Sequence, residues 1–346
     1  MAMVDVTVYG AGAFGLSVAW SCAKRGASVQ VIDPFGPGAG SSGGLVGALA
    51  PHVPENWNDK KQFQFESLIM AEPYWAEIAK TGGKDSGYAR LGRLQPIADD
   101  HALTLAQNRA SGAAQLWQGL ADWQVIRADA AGDWTPDSHT GWLIRDSLTA
   151  RIHPRMACAA LIAAIRAKGG QIITEGDPEG RILHATGVAG LQEISAHHRR
   201  SFGNGVKGQA ALLQLDRRDC PQLFADSVHA VPHADGTVAI GSTSERDYSS
   251  PTTTDSQLDA VLDRARAAIP ALRDAPVLER WAGVRPRARS RAPVLGEHPL
   301  RPGEFIANGG FKIGFGMAPK VGEVMADLIL TGHDTIPPGF RPEVSL

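Results

Sequence analysis

Hydrophobic positions along this chain recur with two periods, and the switches between them fall at glycines and prolines. Val4 to Tyr9 alternates as a strand, Ala13 to Arg25 is a run of helix formers, and Val29 to Ile32 is apolar again. In the helical run Phe14, Leu16, Val18, Ala19, Trp20 and Ala23 leave almost no polar face, which predicts burial against a sheet, and Gly26 is its natural stop. From Asp59 to Lys80 the positions Phe63, Phe65, Leu68, Ile69, Tyr74, Trp75 and Ile78 have helical spacing, with Pro73 expected to kink the helix. Tyr88 to Ile97 predicts a strand and His101 to Ala121 a helix, whereas Ala121 to Asp137 has no period. Trp142 to Arg145 is a further strand, and His153-Pro154 opens a helix that turns Met156, Leu161, Ile162 and Ile165 inward and stops at Gly169-Gly170.

Short strands follow at Gln171 to Ile173 and Arg181 to Ala185. Val206 to Leu215, Ser227 to Val231 and Thr237 to Ile240 then alternate as antiparallel strands joined by turns such as Ala234-Asp235-Gly236. A helix over Asp255 to Ile269, strands over Val277 to Val284 and Phe305 to Ala307, and a last helix from Met317 to Leu330 complete the pattern. Parallel signals at both ends with antiparallel strands between them predict an α/β protein, α+β overall. A Rossmann-type nucleotide-binding domain (1–85, 141–204 and 281–346) is interleaved with an antiparallel-sheet substrate domain (86–140 and 205–280).

Composition narrows the class. At 346 residues and 43% apolar the chain has material for two domains with buried cores. The formal charge of -2 gives no global attraction for nucleic acid or an anionic membrane. No run is long enough to span a bilayer, and a first strand near residue 4 leaves no room for a signal peptide, so a cytoplasmic location is expected. Cys22, Cys158 and Cys220 are too scattered for a disulfide framework or a zinc site and are expected to be reduced; no metal is expected.

The first strand, helix and second strand carry Gly10, Gly12 and Gly15 in G-x-G-x-x-G spacing and end on Asp33. In that context the spacing is a dinucleotide-binding fingerprint. Gly10 permits the turn, Gly12 lets the backbone approach a pyrophosphate, and Gly15 lets the helix pack closely. The N–H groups and positive dipole end at Ala13 and Phe14 suit phosphates, and Asp33 suits ribose hydroxyls while repelling a 2′-phosphate. NAD and FAD both satisfy this signature. The loop Pro34 to Gly44 is too rich in glycine and proline for a regular element and follows the ribose acid directly, which favours a ligand-shaped backbone.

Read together, Gly10 to Asp33, Ala185-Thr186-Gly187, Val206 to Gln209, His229 to Glu245, Trp281 to Arg287 with Pro293 to Gly296, and Asn308 to Pro319 occur in the order seen in the glycine oxidase / D-amino acid oxidase family of FAD flavoenzymes. The chain resembles that family over nearly its whole length, least over 98 to 140. The resemblance implies noncovalent FAD. The cofactor would be held by Gly10, Gly12, Ala13, Phe14, Gly15 and Asp33, by Ser41, Ser42 and Gly43 in a second loop, by Thr186 and Gly187, and by Gly309, Gly310, Phe311, Lys312, Ile313 and Gly314 at the far end. A glycine-rich segment opening the last helix brings a positive dipole end to the ring edge that becomes negative on reduction. A turn that merely lets helix and sheet pack reads the same way, but NAD enzymes have no need of such a second site.

The resemblance also implies an amine oxidoreductase acting on a small amino acid or N-substituted glycine, with hydride transfer to flavin N5 and dioxygen or another acceptor reoxidising the flavin. Arg285, in the family's G-[LV]-R-P motif, would hold the substrate carboxylate with a two-pronged guanidinium; Arg287, Arg289 and Arg291 read as a solvated basic stretch. His229 stands where these oxidases commonly carry tyrosine, and Lys312 where they carry arginine. Each has a plainer reading, a solvent-facing strand histidine and a snorkelling lysine. His52 lies near the ring face in this reading, or is a loop histidine bonded to backbone. A short gap between Ile173 and Arg181 replaces a meander that many relatives have. The loop from Ser41 to Pro51 is similar to the oxidase half of the bifunctional enzyme that matures the tRNA wobble uridine, so a tRNA-modifying oxidoreductase is a second reading. The net charge speaks against nucleic acid as partner, and a non-catalytic flavin-binding protein is a third reading. Oligomeric state is not legible.

Overall fold

Three sheets organise the chain in the computed structural model, which describes residues 3–346. The first unit is β1 (Val6–Tyr9), α1 (Ala13–Ala23) and β2 (Val29–Ile32), followed by β3 (Ala48–Leu49) and α2 (Asp59–Gly82). All of α1 is buried, as a helix without a polar face must be. Asn58 caps α2 by accepting the Lys61 N–H, and Pro73 sits inside that helix without ending it. Next come β4 (Arg93–Pro96), α3 (Asp100–Leu116), β5 (Trp123–Arg127), β6 (Trp142–Asp146), β7 (Ala150–Arg151) and α4 (Pro154–Ala167), the last with Pro154 in its first turn and His153 as its cap. The expected strand from Tyr88 is thus only four residues long, α3 stops five residues early, and the segment without a period contains β5.

The remainder is β8 (Gln171–Ile173), β9 (Arg181–His184), α5 (Gly187–Ala196), β10 (Gly203–Gln214), β11 (Gln222–Ala225), β12 (Val228–Pro232), β13 (Thr237–Gly241), α6 (Ser256–Ala268), β14 (Val277–Ala288), β15 (Val294–His298), β16 (Arg301–Asn308) and α7 (Gly314–Thr331). Residues 174–180 join β8 to β9 with no strand between them. The helix α5 and the strands β11 and β15 have no counterpart in the sequence reading.

A six-stranded sheet in the order β15-β16-β9-β1-β2-β8 is parallel except at β15, and carries the fingerprint at its centre. An eight-stranded sheet in the order β14-β10-β13-β12-β11-β4-β6-β5 is antiparallel except where β11 runs parallel to β4. Strand β6 pairs with β4 and β5, and β14 pairs with β10 along its length save at Leu278, so the expected boundaries at 141 and 281 cut through this larger sheet. We therefore propose moving them to the ends of β6 and β14. The small pair β3-β7 lies apart from both.

The two ends of the chain are bolted together. Helices α1 and α7 pack on one another, with Lys24 paired to Glu323 at 2.8 Å and Arg25 to Asp327 at 2.9 Å. Across them the aromatic ring of Phe14 meets Gly310, where a methyl would stand 2.9 Å from Phe14 Cζ.

Buried histidines tie the larger sheet to the rest. His233 is fully buried, lies 4.6 Å from His153 between ring centroids, and donates from Nε2 to the Leu45 carbonyl at 2.9 Å. Burial above all, then His153, pushes its pKa down to about 4, with the Leu45 bond, Asp235 and Arg151 as smaller influences. Unfolded imidazole takes up its proton near 6.5. Between about 6.5 and 4 the unfolded chain therefore binds more protons than the folded one, so stability present at neutral pH is lost as pH falls through that window. Urea midpoints should drop over this range, and less steeply in His233→Gln, which keeps a donor for Leu45. An equally steep drop in the variant would remove His233 from the account.

Candidate active site

A cleft of about 790 Å³ runs between the carboxyl ends of the central strands and the edge of the larger sheet. Its lining begins at the fingerprint. Gly10 has φ +101°, and a methyl there would overlap the Ala185 carbonyl, so only glycine makes this turn. Asp33 holds the loop from the other strand, accepting from Ala11 N–H at 2.8 Å and Phe35 N–H at 3.0 Å, and both carboxylate oxygens keep lone pairs for ribose hydroxyls. The amino end of α1 has no capping side chain of its own and no acid in its first turn. Instead Ser42 Oγ, from the second loop, accepts the Ala13 N–H at 3.0 Å, leaving the hydroxyl proton free for a phosphate oxygen.

The far end of the cleft is built from the chain's last glycine-rich segment. Gly309, Gly310, Phe311 and Gly314 line it, with Thr186, Gly187, Trp281 and Asn308. Helix α7 also starts without a capping side chain or an acidic first turn, so its positive end is open toward the cleft. Phe311 sits at φ +42°, a strained conformation for an aromatic residue, fixed by its N–H bond to the Pro286 carbonyl at 3.0 Å.

Two helix amino ends without acidic caps and one continuous lining fit a long dinucleotide with a flat ring system at one end. Of the expected cofactor residues, Gly10, Gly12, Ala13, Phe14, Asp33, Ser41, Ser42, Thr186, Gly187, Gly309, Gly310, Phe311 and Gly314 line the cleft. Gly15 and Gly43 do not, because each packs against backbone of its own loop, and neither do Lys312 and Ile313. The sequence reading missed Phe35, Thr174 and Glu175 beside Asp33. Phe35, 84% exposed, was detectable as an apolar residue isolated in a polar loop.

Arg285 lies on the opposite face of β14 from Val284 and Pro286, which line the cleft. Its guanidinium donates from Nη1 to Ser242 Oγ at 2.9 Å, and from Nη2 to the carbonyls of Thr243 at 2.7 Å and Lys207 at 3.2 Å. Its Nε is buried without a partner, and a methyl at Gly208 would overlap the guanidinium. Of the guanidinium expected to fork onto a carboxylate, Nη2 is committed to protein carbonyls, and Nε–H and one Nη1–H remain. Burial, opposed by Glu245, lowers its pKa to about 10, so it stays charged at neutral pH. Behind it the buried Lys207, Glu245 and Gln209 form one network with the exposed Asp255, with Lys207 Nζ at 3.5 Å from Glu245 and Gln209 Nε2 at 2.8 Å from Asp255.

Around Phe311 the charges converge. Arg285, Arg287 and Lys312 stand 5.7, 5.6 and 5.7 Å from its ring centroid. Lys312 is exposed, and partial desolvation followed by Arg285 and Arg287 lowers its pKa. His229 is stacked 4.6 Å from Phe224, and its Nδ1 is buried without a partner. Burial first, then Arg93 and Lys312, brings its pKa to about 3, so it is neutral under physiological conditions and is no solvent-facing histidine. Arg93 is itself paired with the buried Asp146 at 2.9 Å. His52 is held elsewhere: its backbone N–H and Nδ1 both meet Gln64 Oε1, and it lies outside the cleft lining. Burial lowers its pKa against the pull of that bond. Among the described residues no three histidine, cysteine or acidic side chains gather as metal ligands, and no helix is long and apolar enough to cross a membrane.

A family model described as FAD dependent oxidoreductase matches residues 5–328. Among curated proteins, the glycine oxidase of Pseudomonas putida is 26% identical over 378 residues, covering 98% of this chain and 98% of that protein. The bifunctional protein ThiO/ThiG of Trichormus variabilis is 24% identical over 94% of this chain, which spans 52% of that protein's length. Among solved structures, glycine oxidase from Geobacillus kaustophilus superposes with a TM-score of 0.83 at 19% identity, covering 97% of both chains.

Proposed function

This chain belongs to the family of FAD-dependent oxidoreductases, enzymes that act on CH–NH2 or CH–NH donors, and on that premise we propose that it oxidises the C–N bond of a small amino acid or N-substituted glycine. The observation that carries the reading is Arg285: a buried cation with an unpaired Nε–H, beside the strained Phe311 at the end of the cleft. Leaving such a donor unmatched costs on the order of 1–3 kcal/mol, and a substrate carboxylate removes that cost.

In this reading Arg285 binds the carboxylate through Nε–H, while the carbonyls of Lys207 and Thr243 keep the guanidinium from turning. His229 is held neutral and offers an imidazole nitrogen to the substrate amine without placing a second cation next to it. Phe311 walls off water from the carboxylate's partner. Lys312 and the amino end of α7 supply positive potential at the far end of the cleft. FAD, when bound, supplies the hydride acceptor, and the positions along the cleft from Asp33 to Gly314 are those suited to hold it. No residue here has to act as a proton-abstracting base.

The test is anaerobic mixing of the FAD-loaded protein with glycine, sarcosine, proline and panels of D- and L-amino acids, followed by air. Bleaching of the flavin absorbance by one of these classes is the expected result, and rapid recovery in air identifies dioxygen as an acceptor. A flavin spectrum that none of them bleaches would overturn the reading in favour of a binding protein.

A further inference from the structure

A second cavity, of about 510 Å³, opens where β14 ends beside the start of β10. Arg200, Arg246, Arg287, Arg289 and Arg291 line it, with Ser201 and Asn204, and no acidic residue does. Arg289 reaches the carbonyl oxygen of Leu346; among the described residues the other four guanidinium groups make no ion pair. The chain as a whole carries a charge of -2, so this is a local concentration of one sign that its own carboxylates leave uncompensated. Like charges so placed raise the energy of the folded state, and an anion entering the cavity removes that penalty.

One residue links the cavity to the surroundings of Phe311. Arg285 and Arg287 are two positions apart on β14 and face the same way, about 7 Å apart along the strand. Both lie against the Phe311 ring, as does Lys312. Arg287 is also part of the cavity wall, where desolvation, Arg291 and Arg246 hold its pKa below the usual range. Arg287, expected as part of a solvated basic stretch, borders both the cavity and the Phe311 ring.

We propose that the substrate carries a second anionic group, a carboxylate or a phosphate a few bonds from the amino-acid carboxylate, and that Arg287 receives it with Arg246 and Lys312. The proposal rests on the reading that Arg285 takes the first carboxylate. Two guanidinium groups rooted about 7 Å apart along one strand and both lying against Phe311 suit an acidic amino acid or an N-carboxyalkyl one better than glycine itself. The remaining arginines, toward the rim, lengthen the reach of the field that draws such an anion inward.

Calorimetric titration of the FAD-loaded protein with acetate, succinate and phosphoglycolate, none of which is an amine, tests this without turnover. Succinate or phosphoglycolate should bind about tenfold or more tightly than acetate, the weight of one further charge-assisted hydrogen bond, and whichever leads identifies the group. In Arg287→Gln that preference should shrink to about twofold, and Arg246→Gln should reduce it as well. Equal affinities for acetate and the two dianions would overturn the proposal, as would a preference that survives both substitutions. Binding of tRNA with steep salt dependence, in a protein indifferent to the dianions, would reassign the patch to nucleic acid. A dianion preference in a protein that no amine bleaches would leave the anion site standing and sink the amine oxidation instead.

Discussion

Gly10→Ala should purify without flavin colour. The substitution meets two penalties at once, a φ of +101° that a side chain tolerates poorly and an overlap with the Ala185 carbonyl at the end of β9. Relieving the overlap moves the turn that aims the α1 N–H groups into the cleft. FAD affinity should fall by at least about a hundredfold, roughly 3 kcal/mol, with activity lost in proportion. Gly26→Ala is the matching control: its φ is +92°, yet nothing lies within 4 Å of the added methyl and it is remote from the cleft. It should bear the backbone strain and keep its flavin. Stoichiometric FAD in Gly10→Ala, measured by absorbance after gel filtration, would show that the fingerprint turn is not the anchor argued for here.

Arg285→Ala should lower kcat/KM for carboxylate-bearing amines by about a thousandfold, near 4 kcal/mol, the range found when one partner of a desolvated charge pair is truncated. Lysine at 285 should recover only part of this, because an ammonium cannot reproduce the guanidinium's bonds to Ser242, Thr243 and Lys207 while still reaching a carboxylate. Gly208→Ala should resemble the alanine variant, since its methyl occupies the guanidinium's place. The discriminating measurement compares an amino acid with the same amine lacking its carboxylate. If Arg285→Ala slows both equally, the arginine is a structural member of the sheet and not the carboxylate's partner.

Much of the fold was readable because its signals are local. The run from β1 through β2 carries its strands, its apolar helix and its glycines within about thirty residues, and α7 is announced by the glycines before it. Helix α5 was not readable, since Gly187 and Gly190 in its first turn read as loop and its stability comes from packing on β10 and β14. The four-residue β11 borrows its strandedness from β12 and β4 and has little pattern of its own. The site divides the same way. Its cofactor residues lie in contiguous motifs, whereas Arg285 is held by atoms from β10 and from the turn after β13, and the arginine cavity gathers Arg200, Arg246 and Arg287 from three separate segments. Spacing along a chain carries no record of such meetings. Alternation placed Arg287 on the same face as Arg285, but not what lies in front of that face.

The bolting of α1 to α7 has a consequence for how this protein is made. During synthesis the opening fingerprint leaves the ribosome about three hundred residues ahead of the segment that completes the cradle. Until then Phe14 has no Gly310 to rest on, and Lys24 and Arg25 have no acids to grip. Capture of the whole vitamin-derived group therefore waits until the segment from Gly309 to α7 has been made. Cells short of riboflavin would accumulate a chain whose α1 and α7 are clasped over a hollow, and the exposed loop at its rim, around Phe35, is where proteases should cut first.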